Sequence, residues 1–230
     1  MPPSTAARGL RRAELVSSAP LAAAAFHEKL LGWRAVQTAE SQLDCWVGER
    51  RCASVRAPHG GEPTGWRVVF AGADEDTSLT GPDDVGAEVA QGRAQHGPWA
   101  PAPRLSEPCW VDLFTQQPQR ADDFWTERFH WSRAADLSEQ ASTYACEGRP
   151  VAARVQGRRS DGRWDWLCYY AVRNVDAAEE RVPELGGEIV EWIKHPVVGT
   201  AVVVADPQGA VYALTPHTHR WGAPVSQLVS

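Results

Sequence analysis

The chain has 230 residues, of which 43% are hydrophobic and 23% charged, with a formal net charge of −6. This is the composition of a soluble globular protein of one large or two small domains. It lacks the clustered Lys and Arg that nucleic acid requires. No apolar run approaches the roughly 20 residues of a membrane span, and the first residues lack the apolar core of a secretory signal, so a cytoplasmic protein is expected.

In chain order, residues 12–17 alternate sides as a strand does. Pro20 then opens a helix, where its missing N–H leaves nothing unsatisfied. Phe26, Leu30 and Trp33 recur along one face at i, i+4 and i+7. Residues 42–55 read as β-structure around the turn Gly48-Glu49-Arg50, and residues 65–71 as a further strand. Residues 74–108 are rich in Gly, Pro, Asp and Ala and show no recognisable closing strands.

The same grammar then restarts. Residues 110–115 form a strand, and Pro118 opens a helix carrying Phe124, Arg128 and Trp131 at the same spacing. β-Structure over 142–155 turns at Gly148-Arg149-Pro150, and residues 164–172 form a strand. A helix over 176–185 stops at Gly186-Gly187. Strands over 188–193 and 200–205 follow, and Asp206-Pro207-Gln208-Gly209 turns into a last strand over 210–215.

The two halves align residue by residue. At one offset the pairs are Glu14/Asp112, Leu15/Leu113, Pro20/Pro118, Ala23/Ala121, Phe26/Phe124, Leu31/Phe129 and Trp33/Trp131. Gly65-Trp66-Arg67 matches Asp165-Trp166-Leu167 at nearly the same offset. Order and spacing kept over roughly 100 residues indicate duplication. The expected organisation is a module over 10–97, degenerate after 73, then a Pro-rich linker over 98–107. A complete module over 108–216 and a tail over 217–230 follow.

The segment Trp110-Val111-Asp112-Leu113, Phe124-Trp125 and His130-Trp131 resembles the opening of tandem glyoxalase/bleomycin-resistance proteins, the vicinal oxygen chelate superfamily. Asn174-Val175-Asp176, Leu185-Gly186-Gly187 and Asp206-Pro207-Gln208-Gly209-Ala210 continue that pattern in order. The resemblance implies an α+β fold of two paired βαβββ modules whose sheets curl into cups, the N-terminal one truncated or eroded. Metal-using members hold one divalent ion with a His or Gln on the first strand, a His after the hairpin and a Glu on the last strand. The matching positions here hold Trp110, Leu167 and Ala213 in the second copy, and Arg12 and Arg67 in the first. None is a usable ligand, so neither a metal nor a cofactor is expected.

The same cup face carries Glu14 and Asp112, carboxylates at equivalent positions and candidates for acid–base work. His195, in the Lys194-His195-Pro196 connection, borders the cup mouth in the family and is a third catalytic candidate. Trp110, Phe114, Leu167 and Tyr169 are expected to wall a slot for a flat ligand, with Arg12, Arg67, Trp46 and Tyr144 as further ligand-binding candidates. The count of 11 Trp points to such a slot as well as to the core. The other histidines read as solvated or capping residues, and the five scattered cysteines as free, mostly buried thiols.

These features support a metal-independent enzyme of secondary metabolism. It would promote dehydration, cyclisation or ketal formation on an aromatic, polyketide-like molecule in a Trp-rich cup. The alternative is a non-catalytic protein that sequesters an aromatic antibiotic, and a weaker third reading is an interaction scaffold. The expected partner is an aromatic small molecule, with the chain a monomer or homodimer.

Overall fold

The computed structural model describes residues 9–97, 104–163 and 165–216. The first copy runs β1 (Leu10–Val16), α1 (Pro20–Leu31), β2 (Arg34–Ala39), β3 (Gln42–Val47), β4 (Arg50–Arg56), β5 (Gly65–Ala73), β6 (Thr77–Thr80) and β7 (Gly86–Gln91). The second runs β8 (Pro108–Thr115), α2 (Pro118–Phe129), β9 (Ser132–Ser138), β10 (Ala141–Cys146), β11 (Arg149–Gln156), β12 (Trp166–Val172), α3 (Val175–Glu184), β13 (Glu188–His195), β14 (Gly199–Ala205) and β15 (Val211–Pro216).

Each copy forms one mixed sheet. The orders are β2-β3-β4-β1-β5-β7-β6 and, read in the same direction, β9-β10-β11-β8-β12-β15-β14-β13. The βαβββ unit therefore occurs twice in the second copy. In the first it occurs once, followed by a shortened unit.

The shortening differs from the sequence expectation. Strand β7 pairs parallel with β5 as β15 does with β12, and β6 pairs antiparallel with β7 as β14 does with β15. The closing strands are thus present, while counterparts of α3 and β13 are missing among the described residues. These short strands alternate too little apolar surface to stand out from their Gly- and Asp-rich flanks.

Local chemistry repeats at the strand-to-helix turns. Ser17 Oγ accepts from the Ala19 N–H at 3.1 Å, and Thr115 Oγ1 accepts from the Gln117 N–H at 3.0 Å. The helices end alike, in a left-handed residue: Gly32 after α1 and His130 after α2.

The core between the copies is aromatic and pseudo-symmetric. Trp33 and Trp66 of the first copy pack on Tyr170 of the second at 5.4 and 5.6 Å. Trp131 and Trp166 of the second pack on Phe70 of the first at 5.2 and 5.3 Å. His27 joins this core, stacked 5.2 Å from Trp33 and fully buried. His96 is also buried, so neither is the solvated or capping residue expected. The connection before β8 is clamped between the copies: Trp33 Nε1 donates to the Ser106 carbonyl at 2.7 Å, and Arg50 pairs with buried Glu107. All five cysteines are free and buried.

Candidate functional site

The strand registers define two sheet faces in the second copy. Leu167 lies opposite Asp112, Tyr169 opposite both Trp110 and Ala213, and Ala153 opposite Asp112. These residues share the cup face. Tyr144 and Arg154 sit on the other face, against α2, where both bond to the buried Asp122 carboxylate. Tyr144 therefore braces the helix and faces away from the cup, contrary to its expected ligand role.

The cup face opens on a cavity of about 510 Å³ lined by Asp112, Phe114, Leu137, Val155, Tyr169, Ile193 and His195, among others. That is within the usual range for a drug-sized ligand, and its walls are mostly apolar. The described tryptophans leave it untouched, which corrects the expected Trp-rich cup. Trp33, Trp66, Trp110, Trp125, Trp131 and Trp166 are buried in the core, and Trp46 lies on β3 of the other copy. Leu167 is on the cup face but buried beneath the cavity surface.

Asp112 is the polar centre of this wall. Its Oδ1 accepts from Trp110 Nε1 at 2.8 Å, and its Oδ2 from the Tyr169 hydroxyl at 2.6 Å. His195 Nε2 lies 3.1 Å from the same Oδ2. The imidazole state follows from its other nitrogen. Nδ1 accepts from the backbone N–H groups of Val197 and Val198, both at 3.1 Å, so the ring proton sits on Nε2 and faces Asp112. Burial, and next the neighbouring Asp112, push the Tyr169 hydroxyl well above the ordinary tyrosine range, keeping it a donor. Trp110 is fully buried, and its contribution is this hydrogen bond from below, with no exposed face for stacking.

The first copy presents a chemically different cup of about 480 Å³, lined by charged residues. Glu14, the counterpart of Asp112, accepts from Ser54 Oγ at 3.3 Å and pairs with Arg56 at 3.0 Å. Arg56 also bonds Glu62 through two nitrogens, at 2.6 and 2.8 Å, and that hydrogen bonding holds the Glu62 carboxyl down to about 2. Glu14 thus sits in an ion-pair network, its oxygens engaged by a guanidinium and a hydroxyl. Sequence reasoning equated it with Asp112 because Arg56 reaches it only through the parallel pairing of β1 with β4.

The register also supplies a position that the sequence left blank. Glu88 lies opposite Val69 as Ala213 lies opposite Tyr169, and so occupies the last-strand position of the first cup. The family's metal positions thus hold Arg12, Arg67 and Glu88 in one cup and Trp110, Leu167 and Ala213 in the other. Two cations beside a carboxylate repel a divalent ion, and an indole, an isobutyl and a methyl group offer no lone pair. Among the described residues no three His, Cys, Asp or Glu side chains cluster as a metal site. The residues present do not fit the family's ion.

Residues 109–215 match the glyoxalase-like domain family. This half of the chain is a glyoxalase-like domain, and the two sheets together have the vicinal oxygen chelate fold. The manganese-bound glyoxalase of Novosphingobium aromaticivorans superimposes with a TM-score of 0.64 at 14% identity, over 91% of this chain and 82% of that one. A catechol 2,3-dioxygenase gives 0.64 at 14% identity, over 95% and 91%. At such identities the likeness shows the fold alone.

Two curated relatives align over 125 residues. The anthracycline biosynthesis protein DauV of Streptomyces sp. (strain C5) is 28% identical, covering 46% of each chain. The anthracycline biosynthesis protein DnrV of Streptomyces peucetius is 29% identical with the same coverage. The match therefore spans less than half the length of these relatives. No helix among the described residues is long and apolar enough to cross a membrane.

Proposed function

We propose that the chain is a metal-independent enzyme of secondary metabolism that acts on an aromatic, polyketide-like molecule in its second cup. One observation carries this reading: a buried carboxylate, fed by three donors, lines a largely apolar cavity of about 510 Å³. The likeness to two anthracycline biosynthesis proteins supports the substrate class.

The chemistry suits dehydration, cyclisation or ketal formation, which need a held conformation and one group that takes and returns a proton. Apolar walls from Phe114, Leu137, Val155 and Ile193 fold and desolvate the substrate. Asp112 takes the proton from the reacting carbon or hydroxyl. The donors from Trp110, Tyr169 and His195 keep the carboxylate oriented, and the same oxygen returns the proton to the departing or newly formed oxygen.

The test is turnover and binding with a panel of polyhydroxylated tricyclic and tetracyclic aromatics, followed by mass spectrometry and titration calorimetry. Asp112→Asn should reduce turnover by roughly 10²-fold while binding persists, because the shape remains but the ionisable proton is lost and one donor loses its acceptor. A chelator should leave turnover unchanged. If the wild type binds these compounds tightly and converts none, the protein is a sequestering one.

A further inference from the structure

The first cup carries a group its network does not use. Arg12 lines the cavity, and its buried Nε has no hydrogen-bond partner among the described residues. Among the described residues no carboxylate lies within ion-pair distance of its guanidinium. Glu14 is taken by Arg56, Glu62 by Arg56 and Arg67, and Asp44 by Arg51 at 2.9 Å. Glu88 accepts from Ser78 at 2.7 Å and lies 4.0 Å from Arg67. A partly buried cation without an acceptor is costly, since desolvation falls on it with no compensating bond. Burial and then the nearby Arg51 lower the Arg12 pKa from its ordinary value, with the charges of Glu14 and Asp44 opposing them.

We infer that the first cup is a binding site for a small organic carboxylate, with Arg12, at the first-strand position where metal-using family members carry a ligand, supplying the fixed positive charge. Trp110, its counterpart in the second copy, has no such charge, so the two cups take different ligands. The guanidinium fork matches a planar carboxylate in a bidentate pair. The same cavity excludes a multiply charged anion. Glu14, Glu62, Asp76 and Glu88 line it together with Arg12, Arg56 and Arg67, and Arg56 and Arg67 are already paired with Glu14 and Glu62, so Arg12 matches one negative charge and a second meets carboxylates. A monoanion satisfies Arg12 and leaves the network intact.

Titration calorimetry of the full chain with benzoate tests this, with benzamide as the neutral isostere and inorganic phosphate as the more highly charged anion. Benzoate should bind saturably, and Arg12→Gln should weaken it by roughly tenfold or more. Arg12→Lys, which keeps the charge and loses the fork, should fall between. Asp112→Asn, in the other cup, should leave benzoate affinity unchanged, so the outcome is separate from that for the aromatic substrate. Undiminished binding by Arg12→Gln, equal affinity for benzamide, or tighter binding of phosphate would each overturn the assignment, as would no saturable benzoate binding. Thermal unfolding of Arg12→Gln at or above the wild-type midpoint would show that its loss of binding is not a loss of fold.

Discussion

Asp112 accepts from three side chains, and each donor has a distinct tether. Trp110 comes from the same strand, Tyr169 from the neighbouring strand, and His195 from the end of the outermost strand, its tautomer fixed by two backbone amides. Removing one donor leaves an acceptor that is buried and under-satisfied. Tyr169→Phe should therefore lower stability by about 1–3 kcal/mol in urea titrations. It should also cut turnover while leaving ligand affinity nearly unchanged, since the ring remains. A variant as stable and active as wild type would mean that the Tyr169 bond is incidental. The carboxylate itself was legible in the sequence, because duplication set Asp112 against Glu14. What separates the two was not legible: Arg56 sits 42 residues from Glu14, and only the β1–β4 pairing brings them together.

At the scale of elements, the repeat gives α1 and α2 the same length, the same Pro start and the same left-handed end, filled by different residues. Gly32 closes α1 at φ 69°, and His130 closes α2 at φ 52°. A side chain in the left-handed region strains the backbone, and glycine relieves it. His130 is exposed, so replacing it removes no packing. His130→Gly should raise stability by about 0.5–1 kcal/mol, read as a higher urea midpoint at unchanged slope. Both helices were legible from their Pro starts and aromatic spacing. Strands β2 and β9 were not, because they lie at sheet edges, mostly exposed, and show no alternation of apolar and polar residues. Edge pairing is a tertiary event that local pattern does not record.

For the whole molecule, four of the described tryptophans, Trp33, Trp66, Trp131 and Trp166, build the seam between the copies. Sequence reasoning placed Trp33 and Trp131 in the core from their helical spacing. It did not foresee that Trp66 and Trp166 complete two matching clusters, because that requires knowing how the sheets face each other. The seam also buries an ionisable ring. Burial holds His27 down to about 4, and burial followed by Arg50 holds His96 down to about 3. Unfolded histidines take up protons below about 6.5, whereas these stay neutral until well below that, so the unfolded state binds more protons in between. Stability is full above about pH 6.5 and should fall as pH drops toward 4. The urea midpoint should track this, and His27→Phe, which keeps the ring and removes the proton, should flatten part of the slope. An unchanged slope would place the acid sensitivity elsewhere.

The two sheets meet about a pseudo-twofold seam, yet their cups carry different chemistry, and one covalent chain makes this possible. A homodimer built from a single such module would have to accept every substitution twice, once in each binding site. Arg12 opposite an identical Arg12, or Asp112 with its histidine in duplicate, would be unavoidable. Fusion removes that constraint. Each site evolves alone while the partner holds the shared seam at fixed one-to-one stoichiometry, independent of concentration. One half can thus shed its outer helix and strand and turn ionic, while the other keeps a dry, apolar chamber.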